Sequence, residues 1–423
     1  MKLKTLLLTL LITTSSTAWS TNPAYNPDGE FEDYGSQLPD KSRFYNGRIQ
    51  PFPSDVTLRY YLDKYMHEKQ EKKGKYGVEV YPWSDNTYVF ESELQEFDAV
   101  TEDLAESGLI SYLFYEDGKI KVDKKSPRNR FGDMFNDLDP LISMSIGKNM
   151  VSYLLGHAIC KGYIKDVNER IDWWALKDTL YDNQRLLDLI NMRAGDQNYV
   201  GQSIFLKAEP VDHPTNHPSI FSILEVSEKL EGTKKSKQVF NYNPLPPNIV
   251  LNYIIHKVDD EDEFQEFLND IFQKKVGIEN EVWFVKGGRR WGSKEEIDGV
   301  GKSTFFASRY DYLRIAKAML DDWNNNTCVG NYLKTIYDNR EYKGPEYYKT
   351  ASKNYPNSAN EGYGGFFHTD YQGISENVLA MDGKGGQIIW INFDDNRIVV
   401  ANAILLTYDW KKIIADPVRN GLR

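Results

Sequence analysis

Residues 143–162 read SMSIGKNMVSYLLGHAICKG, and this stretch constrains the chain more than any other. From Ile146 the apolar positions Met150, Val151, Leu154, Leu155, Ala158 and Ile159 recur at helical spacing, and Lys161-Gly162 supplies a stop. The spacing predicts a helix whose apolar face must pack on another layer of the fold. Ser145 and Lys148 stand at its start. Positions i and i+3 of a helix share a face, so the lysine amine can reach the serine hydroxyl. The pair has two readings: a cap serine beside a solvated lysine, or a nucleophile beside the base that activates it.

The chain opens with MKLKTLLLTLLITTSSTAWS. Lys2 and Lys4 precede a short apolar run, Leu6 to Ile12, and small residues around Ala18 follow, as in a secretory signal. The run is too short to span a bilayer. Residues 1–20 are therefore expected to be a signal peptide. The protein would be exported, periplasmic or secreted, with no stable membrane insertion after cleavage. Residues 21–58, rich in Pro, Gly and acidic side chains, read as an irregular leader, and 59–423 as the folded domain. Hydrophobic residues make up 40% of the 423, enough for a substantial core. A net charge of −11 repels phosphate backbones and anionic lipid, so no nucleic-acid partner is expected. The only cysteines, Cys160 and Cys328, exclude a disulfide-stapled scaffold, and whether they pair stays open.

Strand signals gather toward the two ends. LISYLFYEDGKIKVDKK (109–125) reads as a hairpin turning at Asp117-Gly118, and GQIIWINFDDNRIVVANAIL as another turning at Asp394 to Asn396. Residues 165–320 read mostly as helices and loops, among them SIFSILEVSEKL (219–230) and SRYDYLRIAKAMLDDW (308–323). A last helix is expected over about 409–414, before Pro417. The pattern predicts an α+β fold: one antiparallel sheet built from both ends of the chain, flanked by helices, with a mainly helical middle region.

Two motifs lead nowhere. GVGKST (299–304) has Glu296 where a phosphate loop needs glycine. His213 and His217 have metal-like spacing in HPTNHP, but the prolines break any helix that would align them. No metal or cofactor is expected. There is also no G-x-S-x-G nucleophile elbow.

Several further segments, in order, match one family. S-x-x-K at Ser145–Lys148 opens an apolar helix, and GHAICKGYIKDVNERI follows it. LLDLINMRAGD (186–196) is similar to an LL-x-M-x-S-G segment, and FNYN (240–243) to a Y-x-N element. FFASRYDYLRIAKAML (305–320) and GYGGFFHTD followed by GKGGQIIWINFDDNRIVVANA complete the set. From about residue 76 onward the chain resembles the serine β-lactamase and penicillin-binding protein superfamily, in its esterase and 6-aminohexanoate-oligomer hydrolase branch. The resemblance implies a β-lactamase-like fold. It also implies a serine hydrolase acting on a small-molecule or short-peptide ester or amide.

The resemblance further implies Ser145 as nucleophile, with Lys148 and Tyr242 as proton-transfer groups, since a phenol beside a lysine can pass a proton to a leaving group. Two N–H donors must face the oxyanion, by resemblance those of Ser145 and Lys384. Asp382, Gly383 and Gly385 would line the substrate cleft. Two departures stand out. Pro244 occupies the third position of Y-x-N, and Met381-Asp382 replaces the Lys and Ser or Thr of K-[ST]-G. An acid there would repel a carboxylate-bearing ligand, which favours an esterase or amidase over a β-lactamase or D-Ala-D-Ala carboxypeptidase. A catalytically inactive cell-envelope binding protein is the other alternative. Phe284, Arg289, Arg290 and Trp291 suggest an aromatic, basic rim that sets specificity.

Overall fold

The computed structural model describes residues 77–200, 223–285, 302–344 and 359–422, with Asp55, Leu58, Arg59, 61–63, Met66 and Pro356. Its strands are β1 (Gly77–Val80), β2 (Glu91–Ser92), β3 (Leu109–Glu116), β4 (Lys119–Lys125), β5 (Leu141–Ile142), β6 (Val282–Val285) and β7 (Lys302–Ala307). They continue with β8 (Glu341–Tyr342), β9 (Asn360–Gly364), β10 (Phe367–Tyr371), β11 (Val378–Gly383), β12 (Gln387–Asn392) and β13 (Arg397–Ala403). The helices are α1 (Asp98–Glu106), α2 (Ile146–Lys161), α3 (Leu186–Ile190), α4 (Ile223–Leu230) and α5 (Leu245–Val258). After them come α6 (Glu261–Asn269), α7 (Arg309–Asn324), α8 (Cys328–Asp338) and α9 (Asp416–Asn420).

The larger sheet has nine strands in the order β2-β4-β3-β13-β12-β11-β10-β9-β8. β3 and β4 form the hairpin at Asp117-Gly118, whose positive φ angles of 47° and 89° suit a tight two-residue turn. β12 and β13 form the second hairpin, and β13 pairs antiparallel with β3. Alternation along these strands splits the core in two. Leu379, Met381, Ile389 and Ile391 pack in one cluster with α2 and α7. Ala380, Ile388, Trp390 and Val399 face the other way, toward Val100 and Leu104 of α1 and toward Ile413, Ile414 and Val418.

Helix α2 is the centre of the first cluster. Both of its flanks are covered, so even its polar residues Asn149 and Ser152 are buried. It ends at Gly162, whose φ of 85° lets its N–H cap the carbonyls of Ala158 and Ile159. Cys160, near that end, is disulfide-bonded to Cys328 at the start of α8, with Cα atoms 5.8 Å apart.

A second sheet, β1-β6-β7-β5, interrupts the middle region that the sequence suggested was helical. Its strands β5 (LI) and β6 (VWFV) are short apolar runs with no alternation, a pattern a buried helix can also produce. Phe284 belongs here. It is 1% exposed and packs on Phe305, so it is a core residue and not part of a rim. Packed structure also begins before residue 59: Leu58 is fully buried and Asp55 pairs with the buried Arg130 at 3.0 Å. Near the C-terminus, a helical turn over Lys411–Ala415 continues into α9, with Pro417 in its first turn, where its missing N–H costs nothing. The signal segment 1–20, most of the leader, His213, His217, Arg289, Arg290 and Trp291 lie outside the described residues. Among the described residues no helix is long and apolar enough to cross a membrane.

Candidate active site

Ser145 is carried on a turn that β7 holds in place. The N–H of Ser143 donates to the Phe305 carbonyl at 2.8 Å, and the Phe305 N–H donates to Ser143 Oγ at 2.9 Å. Met144 then takes a φ of 50°, a left-handed conformation that costs a side chain roughly 1–3 kcal/mol. It places Ser145 at the N-cap of α2. Gly147, the second residue of α2, lies so close to β7 that a Cβ there would sit 1.7 Å from the Ser303 carbonyl oxygen. The serine is therefore fixed from both sides.

Lys148 Nζ donates to Ser145 Oγ at 2.8 Å, and the lysine is 7% exposed. The first reading of the pair, a solvated lysine beside a cap serine, does not fit: the lysine is buried, and Ser145 makes no side-chain cap hydrogen bond. On the far side of the amine lies Tyr242, with its ring centroid 5.0 Å from Nζ. The structure thus brings Ser145, Lys148 and Tyr242 together.

What aims Tyr242 is Asp196, which the sequence did not single out. Its neighbours Asn241 and Asn243 both turn back to this carboxylate, with Nδ2 donating at 2.7 and 3.2 Å, and the Tyr181 hydroxyl donates at 2.6 Å. Asp196 is fully buried, and burial pushes its pKa up while these donors pull it down. The flanking asparagines were the available signal. Pro244, exposed at the N-terminus of α5, completes the turn: Asn243 Oδ1 accepts from the Leu245 N–H at 2.9 Å.

Strand β11 closes the other side. A Cβ on Gly383 would lie 2.6 Å from the Ser143 carbonyl, so the strand end abuts the turn that carries Ser145. Lys384 follows, and Gly385 and Gly386, with φ of 85° and 93°, turn the chain into β12. The open side of Gly385 faces the Ile404 carbonyl, which its missing Cβ accommodates. Burial lowers the pKa of the Lys384 amine.

Asp382 requires a correction. Its carboxylate accepts from the Tyr371 hydroxyl at 3.0 Å and from Trp390 Nε1 at 3.1 Å, side chains of the cluster opposite α2. Strand alternation is the reason: Asp382 shares the face of Ala380, while Met381 packs in the α2 cluster. Asp382 does not present its charge beside Ser145. Burial raises its pKa to about 6. Among the described residues no cluster of His, Cys, Asp and Glu is arranged to hold a metal ion.

This arrangement sits on a known fold. A Bacillus anthracis structure described as a putative 6-aminohexanoate-dimer hydrolase superposes with a TM-score of 0.62 at 16% identity, covering 90% of this chain and 98% of its own. The D-amino acid amidase of Ochrobactrum anthropi SV3, complexed with L-phenylalanine amide, gives 0.51 at 13% identity, covering 76% of this chain and 94% of its own. EstCE1, described as a hydrolase with promiscuous acyltransferase activity, gives 0.51 at 10%, covering 87% and 98%. The chain has a β-lactamase-like α+β fold, shared with these structures. No protein-family model matches the sequence, and no curated protein is significantly similar to it.

Proposed function

We propose that the protein is an exported serine hydrolase that cleaves an ester or amide bond in a small molecule or short peptide. The observation that carries this reading is the 2.8 Å contact from the buried Lys148 amine to Ser145 Oγ. Lys148 takes the hydroxyl proton as Ser145 Oγ attacks the carbonyl carbon. The oxyanion of the tetrahedral intermediate faces the main-chain N–H groups of Ser145 and Lys384. As the intermediate collapses, the proton passes through Lys148 and Tyr242 to the leaving alcohol or amine. Water then attacks the acyl-enzyme and releases the acid and free Ser145. The descriptions of the structural neighbours as hydrolases and an amidase agree with this chemistry. Export agrees with the Cys160–Cys328 disulfide, since such bonds persist in oxidising compartments.

A β-lactam or D-Ala-D-Ala substrate is less well served. Its carboxylate would meet no lysine or hydroxyl at positions 381 and 382 of β11, where Met381 is buried among apolar side chains. The test is labelling of the purified protein with a fluorophosphonate, in which Ser145 Oγ forms a bond to phosphorus and fluoride leaves to solvent. The wild type is expected to be labelled and a folded Ser145→Ala protein not. A well-folded wild type that takes no label would turn the reading toward an inactive binding protein.

A further inference from the structure

Behind Tyr242 lies a group of titratable side chains that this reaction leaves unused. His368, on β10 opposite Ala380, stacks its ring on that of Tyr242, with centroids 6.1 Å apart and planes inclined by 27°. Its Nδ1 is 2.9 Å from Nζ of Lys343, the residue that follows β8. Both side chains are buried, at 4% and 5% exposure. The rings of Tyr363 and Phe240 stand 5.7 and 5.9 Å from the Lys343 amine, which therefore sits in an aromatic cage. Tyr363 also meets Tyr242 and His368 edge to face, at 5.9 and 5.1 Å. With Lys148 on the near side of Tyr242, the contacts run without a break from Ser145 to Lys343.

Such a pair is costly to bury unless it is organised. An imidazole nitrogen that accepts from an ammonium cannot itself carry a proton, so the couple holds at most one positive charge. Burial pushes the pKa of Lys343 far down, opposed by the charges of Asp382 and Asp370. Burial does the same to His368, reinforced by Lys343 and Lys148. Asp370 is itself paired with Arg340 at 2.8 Å, and Asp382 is held by Tyr371 and Trp390. The face that β11 turns to α2 carries the apolar Met381, and the amine behind Tyr242 comes instead from Lys343 at the β8 end of the sheet.

We propose that Lys343 and His368 are positioning residues for Tyr242: the amine fixes the imidazole through Nδ1, and the imidazole holds the phenol by stacking, facing Lys148 and Ser145. This rests on Ser145, Lys148 and Tyr242 being the catalytic set. The test measures the maximal rate and half-saturating concentration of fluorophosphonate labelling between about pH 5 and pH 8, the range that histidine switches span. Lys343→Met, folded by its melting curve, is expected to lose about 10²-fold in maximal rate, the cost of misplacing a reacting group by an ångström or so. Half-saturation should stay within about threefold of wild type, because probe binding does not use the couple. The pH profile should change shape. If Lys343→Met does not fold, His368→Phe, which keeps a stacked ring but no acceptor, carries the same expectation. A folded variant with the wild-type rate and pH profile overturns the proposal while leaving the nucleophile standing. A wild type without label removes the catalytic set and this inference with it.

Discussion

At the scale of single residues, orientation separates Lys148 from Asp382. Lys148 follows Ser145 by one helical turn, so its amine reaches the hydroxyl with little freedom to go elsewhere. Asp382 lies one residue from Gly383 yet points through the sheet, because adjacent strand residues face opposite ways. Its buried carboxyl has a testable consequence. With a pKa raised to about 6 from 3.8, the folded state binds more protons than the unfolded one across that interval. The stabilising term is therefore fully present below about pH 4 and lost as pH rises through about 6. Burial likewise raises Asp103 to about 6, which adds a slope of the same sign. Asp382→Asn should remove its own share: the melting temperature of the wild type should fall more between about pH 4 and pH 7 than that of the variant. Parallel melting profiles would show that the carboxyl is not held in this way. The i, i+3 spacing made Ser145 and Lys148 legible from sequence. Aligning Met381-Asp382 with K-[ST]-G obscured Asp382, although Val378, Ala380 and Asp382 share a parity that would have assigned its face.

At the scale of elements, the site depends on how loops are tied to strands and helices. The turn bearing Tyr242 has little regular structure of its own and is held by one carboxylate, Asp196, through Asn241 and Asn243. Asp196→Ala should leave two donors, Asn241 Nδ2 and the Tyr181 hydroxyl, unpaired in a buried place, at roughly 1–3 kcal/mol each, while Asn243 Nδ2 keeps the Asn241 carbonyl. Tyr181→Phe removes one donor and leaves both asparagines attached. The alanine variant should therefore unfold at clearly lower denaturant and label far more slowly, while Tyr181→Phe labels at close to the wild-type rate. Equal labelling by both would mean that the turn holds Tyr242 without Asp196. The elements with strong local signals were legible, namely α2 from its 3.6-residue period and both hairpins from their turn residues. The small sheet was not, because β1, β5 and β6 are each only two to four residues long and take their structure from partners distant in sequence.

For the whole molecule, the nine-stranded sheet is shared by two apolar layers, and β13 and β3 join segments almost three hundred residues apart along the chain. Pairings at such separation close long loops before any contact rewards them, so a fixed link within the chain has leverage on stability. The Cys160–Cys328 disulfide is such a link, closing a loop over a sequence separation of 168 and joining the C-terminal end of α2 to α8. By limiting the unfolded chain it should contribute about 2–4 kcal/mol. It lies at the opposite end of α2 from Ser145, so its loss should lower stability without altering the site. Reduced protein is accordingly expected to melt several degrees lower while labelling at Ser145 as fast as the oxidised form at room temperature. Thiol titration should find no free thiol in the native protein and both cysteines after reduction. Identical melting of the two forms would mean that the link does not constrain the unfolded chain. A lower labelling rate at full folding would mean that strain travels the length of α2 to the nucleophile.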